Sequence, residues 1–283
     1  MHQFEVHRVA VPGTAIKITA IPCGAIQLKK SHVNPSLGGM PQILADWRWT
    51  NSLPIYCWLI EHPEGYILVD TGGRTAAQSK DYYRCDPISG RINHQILKFD
   101  LDLRMEIDQR LMALGIQTDQ IKKVVLTHLH LDHVDGLHHF KEAEVFVSKI
   151  EKKNPYGAIP CLWPSWFEPR LIEYRDDFNH YFPKAYALSK DEKIWILPTP
   201  GHTFGHQSVL VRGAGVNYLL AGDMSFTDQQ LQEGQVAGIN ADKKLSLQSY
   251  QKVKAFAKNV GMVYLPSHDL NLIARLKSTE LLF

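Results

Sequence analysis

The chain has 283 residues, 45% of them hydrophobic, which is enough to bury a sizeable core in one globular unit over residues 1–283. With 31 basic and 29 acidic residues the formal net charge is +2, so no strong field draws a nucleic acid or an anionic membrane, and a small substrate of modest charge is the expected partner. The start, Met1 to Arg8, has no apolar segment of signal-peptide length and no later run approaches the length of a membrane span, so a cytoplasmic protein is expected.

Ala15–Ile21 alternates like a half-buried strand and is expected to stop at Pro22, with Gly24 as a turn residue. Residues 30–53 are irregular, and Trp47 and Trp49 there either form a lid over a ligand or pin a long loop to the core. Pro54–Ile60 and Tyr66–Val69 read as a hairpin that runs into Asp70-Thr71-Gly72-Gly73. Asp70 is either a turn residue or the acceptor that holds a metal-ligating histidine through its second ring nitrogen. Residues 76–100 give mixed signals of loop with helical pieces, whereas Leu103, Ile107, Leu111 and Leu114 predict a helix over 103–114 capped by Gly115. Glu144–Ser148 is a short strand, so helices and strands alternate through the middle of the chain.

Over 152–190 the pattern dissolves into prolines and aromatics, Trp163 and Trp166 among them. That composition suits an apolar pocket wall or a homodimer interface. Ile194–Leu197, Gln207–Val211, Val216–Leu220 and Met262–Leu265 read as strands, and Ser246 as the cap of a helix over 247–259. Cys23, Cys57, Cys85 and Cys161 are scattered without a CxxC pair and are expected to be reduced, buried small hydrophobes.

The apolar run Ile121–Leu126 delivers Thr127-His128-Leu129-His130-Leu131-Asp132-His133. Burying a core asks for no such cluster of imidazoles and carboxylate. His128 and His130, at i and i+2, project the same way on extended backbone and can share one ion, while Asp132 and His133 follow after the chain turns and suit a second. Nitrogen and oxygen donors without thiolate suit zinc, with manganese, iron or cobalt as alternatives. Farther on, His202 lies in Thr199-Pro200-Gly201-His202, Asp223 ends Ala221-Gly222-Asp223, and His268 sits in Pro266-Ser267-His268, each just past a strand.

Together these motifs resemble the metallo-β-lactamase superfamily. The resemblance implies a four-layer αβ/βα sandwich with a dinuclear site. His128, His130 and His202 would hold one metal, Asp132, His133 and His268 the other, and Asp223 would bridge them. Asp223 stands where zinc β-lactamases place Cys, which counts against antibiotic hydrolysis, and His130 stands where the diiron branch places Glu, which counts against redox chemistry. The stretches 59–72 and 199–208 are similar to the N-acyl homoserine lactone lactonases, quorum-quenching enzymes. That likeness implies lactone hydrolysis at two divalent ions, with Asp132 passing a proton to the departing alkoxide. A related hydrolase acting on a thioester, phosphodiester, organophosphate or other ester is the alternative. An acyl-lactone pocket is polar at the metals and apolar beyond, and Trp47, Trp49, Trp163, Trp166, Phe226 and His206 are its expected lining. Phe226 departs from the group, which commonly carries Tyr there, so Tyr82, Tyr83 or His206 is expected to supply the missing donor.

Overall fold

The computed structural model of the chain describes residues 5–283. Strands β1 (His7–Ala10), β2 (Lys17–Leu28), β3 (Leu53–His62), β4 (Gly65–Val69), β5 (Leu97–Asp100), β6 (Ile121–Val125), β7 (Glu144–Ser148) and β8 (Arg170–Ile172) form one sheet in the order β1-β2-β3-β4-β6-β7-β8, with β5 paired to β2. The pairing is antiparallel from β1 to β4 and parallel from β4 to β8. A second sheet orders β13 (Met262–Pro266), β12 (Asn217–Gly222), β11 (Gln207–Arg212), β10 (Ile194–Pro198) and β9 (Tyr186–Ala187), with β12 and β13 parallel.

The alternation of side chains along each strand separates the core into layers. Ile18, Trp58, Ile60, Val69 and Val125 from the first sheet meet Ile196, Val209, Val211, Leu220 and Val263 from the second. The opposite face of the first sheet, with Leu59, Leu68, Val124 and Val145, is covered by Ile107, Leu111, Leu137 and Phe140. The opposite face of the second, with Trp195, Leu210 and Leu219, is covered by Tyr250, Val253 and Phe256. This is the expected helix-sheet-sheet-helix sandwich. Among the described residues no helix is long and apolar enough to cross a membrane.

Several local expectations are corrected. Strand β2 continues through Pro22, because the register shifts between Pro22 and Ala25 and the missing amide hydrogen falls at that bulge. The helix over 103–114 breaks at Glu106 into a turn, Leu103–Met105, and a helix, Ile107–Ala113, leaving Leu103 exposed. The last long helix is Lys243–Ala257, and its cap is Asp242, whose carboxylate accepts from the Lys244 and Leu245 amides, instead of Ser246. Residues 76–100 contain a well-formed helix, Pro87–Ile96, capped by Asp86 with Pro87 at its first position. Cys85 and Cys161 form a disulfide, so only Cys23 and Cys57 are the buried free thiols that were expected of all four. This pair removes the basis for expecting fully reduced thiols.

Candidate metal centre

The strand ends deliver the ligand candidates to one edge of the sandwich, the carboxyl side of β4, β6, β12 and β13. Asp70 follows β4 at φ 59°, a left-handed conformation that costs an L-residue energy and is retained where surrounding contacts demand it. The Asp70 carboxylate accepts from the Thr127 amide (2.7 Å) and hydroxyl (2.8 Å) and pairs with His133 Nδ1 (2.8 Å). The Thr71 amide and hydroxyl in turn donate to the His133 carbonyl at 2.8 and 2.9 Å. Gly136 lets this loop close, because a Cβ there would lie 2.1 Å from the Thr71 carbonyl oxygen.

His130, His133 and His268 are each oriented by their second nitrogen. His130 Nε2 donates to the Tyr156 carbonyl at 3.0 Å, which leaves Nδ1 bare and 3.0 Å from His202 Nε2. His268 Nδ1 donates to the Pro54 carbonyl at 2.8 Å, and its Nε2 lies 3.2 Å from Asp132 Oδ2 and 3.3 Å from Asp223 Oδ2. His133 Nε2 is 3.2 Å from Asp223 Oδ1, and His202 Nε2 is 3.6 Å from Asp223 Oδ2. The Asp223 carboxylate therefore stands between two groups, His128, His130 and His202 on one side and Asp132, His133 and His268 on the other; within each group the ligand atoms lie within 4.8 Å of one another. Glu151 braces the motif from behind, accepting from the Leu129 and Gly205 amides and the Thr203 hydroxyl at 3.1, 3.1 and 2.7 Å.

The test of metal fit is in the unpartnered atoms. His128 Nε2, His133 Nε2 and Asp223 Oδ1 are buried without a hydrogen bond, and such atoms are costly unless a cation takes them up. Burial holds the His128 and His202 imidazoles well below their ordinary pKa, which suits neutral ligands. At His268 burial acts the same way but is outweighed by Asp223 and Asp132, which push its imidazole up to about 10. Carboxylates that draw protons onto buried imidazoles are carboxylates in need of positive charge.

Above the cluster opens a cavity of about 340 Å³, with His130, Asp132, His202, Asp223 and His268 at one end. Its walls are mostly apolar, with His32, Ser89, Asn93 and Tyr156 among them. Ile26 and Leu28 come from β2, Ile92 and Ile96 from the Pro87–Ile96 helix, Leu97 and Phe99 from β5. Phe226 lines it, its ring stacked on His268 at 5.6 Å. The other expected lining residues are elsewhere. Trp47 is 82% exposed, Trp49 is held between the Lys29 and Lys98 ammonium groups, and Trp163 and Trp166 pack on the outer core of the first sheet. His206 is buried behind Asp223, with Nδ1 on Thr199 and Nε2 accepting from the Asp223 amide at 3.1 Å. The Tyr82 hydroxyl donates to Asp135 and that of Tyr83 to the Ala77 carbonyl. The residues missed in the sequence, Ile92 and Ile96, are spaced by one helical turn behind an Asp-Pro start, a signal that 76–100 did contain.

The profile of the metallo-beta-lactamase superfamily matches residues 50–268, more than half of the chain. The chain belongs to this superfamily. It is 27% identical over 263 residues to an N-acyl homoserine lactonase of Bacillus sp, covering 91% of this chain and 94% of that one. It is 26% identical over 271 residues to N-acyl homoserine lactonase AttM of Rhizobium johnstonii, covering 90% and 94%. The solved structure of an N-acyl homoserine lactone hydrolase, with the product N-hexanoyl-L-homoserine bound at its catalytic metal center, superposes with a TM-score of 0.75 at 23% identity over 95% of this chain and 97% of that one.

Proposed function

We propose that the protein is a dinuclear metal-dependent hydrolase, with zinc as the native metal, that opens the lactone ring of N-acyl homoserine lactones. The observation that carries this reading is the single cavity that joins a cluster of unpartnered imidazole and carboxylate atoms to a sleeve of aliphatic and aromatic side chains. A polar lactone head and an apolar acyl tail are matched by that polarity. The names of the relatives over nine-tenths of the chain support the same substrate class.

The nitrogen and oxygen donors name the metal class, since all of the candidate ligands are His or Asp. When bound, two divalent ions supply Lewis acidity and lower the pKa of water from about 15.7 to about 7. The chain's own residues do the rest. Asp132 lines the cavity with one carboxylate oxygen on His268 Nε2, placing it to accept the proton of the attacking water and return it to the alkoxide that leaves when the ring opens. Asp70 fixes the His133 tautomer, so that Nε2 faces Asp223 with its lone pair. Ile26, Leu28, Ile92 and Phe99 exclude water and receive the acyl chain.

One observation favours a second reading, hydrolysis of a different ester: Phe226 brings an apolar ring to the cavity beside the metal cluster and offers no donor. A panel of acyl homoserine lactones, thioesters, phosphodiesters and organophosphates, assayed with zinc-reloaded protein, decides between them. Preference for the lactones by tenfold or more in kcat/KM is the expected result, and preference for any other class overturns the lactonase reading.

A further inference from the structure

Among the buried histidines of the metal end that lie outside the two ligand groups, His206 has both nitrogens bonded and His32 has neither. It sits on the short helix Lys30–Val33 and is 8% exposed, yet it lines the cavity, and its Nδ1 is sealed from solvent with no hydrogen-bond partner. His133, His268 and His206 each spend a nitrogen on a carboxylate or carbonyl that orients the ring. The other nitrogen of His32, Nε2, is neither sealed nor bonded within the protein, so it is the one available to the cavity that the ring lines.

The backbone holds His32 in place. Its amide donates to the Lys29 carbonyl at 2.9 Å, and its carbonyl accepts from the Ile239 amide at 3.1 Å. Its ring meets Phe226 edge-on at 6.3 Å, and Phe226 is stacked on His268, so three rings run in series from the metal cluster to His32. The charged groups that act on the His32 ring are those of the cluster, His130, Asp132, Asp223 and His268. Tyr82, Tyr83 and His206 are already bonded within the protein and lie off the cavity lining; among the lining's polar residues outside the metal cluster, Ser89, Asn93, Tyr156 and His32, it is His32 whose ring meets Phe226.

We propose that His32 is a substrate-binding residue whose imidazole N–H donates a hydrogen bond to an oxygen of the lactone head, supplying the donor that Phe226 lacks. The tautomer that leaves the sealed Nδ1 bare carries its proton on Nε2, and this is the N–H directed at substrate. The bond persists to the carboxylate of the ring-opened product. This proposal rests on the lactonase reading.

The test uses the zinc-loaded full chain, with N-hexanoyl homoserine lactone for kinetics and its ring-opened product for calorimetry. His32→Phe, His32→Gln, Phe226→Tyr and the double variant H32F/F226Y are compared, with melting temperature and metal content checked for each. His32→Phe is expected to lose about ten- to hundredfold in kcat/KM and in product affinity at unchanged metal content. His32→Gln, which keeps an N–H, should retain part of both. Phe226→Tyr should raise kcat/KM more in the His32→Phe background than in the wild type. Retention of both quantities within twofold in His32→Phe overturns the proposal, as does a loss that neither Gln nor the second-site Tyr recovers, since that is a packing defect. Wild type that binds product without opening lactone overturns only the lactonase reading, and the calorimetry still decides His32. Wild type that does neither overturns both.

Discussion

Asp70 shows how one side chain decides whether a ligand is usable. Its carboxylate accepts from His133 Nδ1, which fixes the proton there and leaves Nε2 bare toward Asp223. In Asp70→Asn the amide presents N–H where an acceptor is needed, and the His133 proton moves to Nε2, the atom offered to metal. Metal affinity should fall about 10- to 100-fold, read by competition with a chromogenic chelator, and unchanged affinity would contradict this role. Glu151 behaves differently. Burial pushes its carboxyl up to about 7, so between the unfolded value near 4.5 and about 7 the folded state holds the proton more tightly than the unfolded one. Its contribution is therefore greatest below pH 4.5 and declines as pH rises through that window, by up to about 3 kcal/mol. Urea unfolding of chelator-stripped protein should show the difference between wild type and Glu151→Gln shrinking from pH 5 to pH 7. A flat difference would mean that the carboxyl titrates normally.

Strands and ligand motifs were legible because their signals are local. The run 121–126 followed by His128-Leu129-His130 needs only its own residues to read as a strand delivering candidate ligands, and β13 with His268 likewise. The cavity was not legible, because its walls join β2, the Pro87–Ile96 helix and β5 with Phe226, positions about two hundred residues apart in the chain. Tryptophans that composition placed in the pocket were free to pack elsewhere, since aromatic rings serve an outer core equally well. The disulfide was hidden for the same reason: a separation of 76 residues carries no pairing information. It ties the start of the Pro87–Ile96 helix to the segment that follows Tyr156–Ala158, so it links two segments that line the cavity. Replacing both cysteines by Ser should cost about 2–4 kcal/mol of stability and raise KM for long acyl chains more than it lowers kcat. Calorimetry and steady-state kinetics check both, and an unchanged melting temperature and KM would show that the walls hold without it.

The whole molecule is a device for bringing strand ends from two sheets to one edge. The Gln207 amide bonds the Thr127 carbonyl across the sandwich at 3.0 Å, and the Tyr56 amide of the first sheet bonds the Ser267 carbonyl at the end of β13 at 3.1 Å, so the two sheets are stitched beside the candidate ligands that they deliver. Asp223 stands at the meeting point of both ligand groups. Asp223→Ala should therefore lose metal and activity together, since among the described residues Asp223 is the carboxylate placed between the two groups, and elemental analysis showing full metal content in that variant would remove its bridging role. The most direct measurement is the rate of acyl homoserine lactone opening by chelator-stripped protein as zinc is added in steps. A dinuclear lactonase gives activity that rises to a plateau at two equivalents of zinc per chain; a plateau at one equivalent, or no lactone opening at any loading, would contradict it.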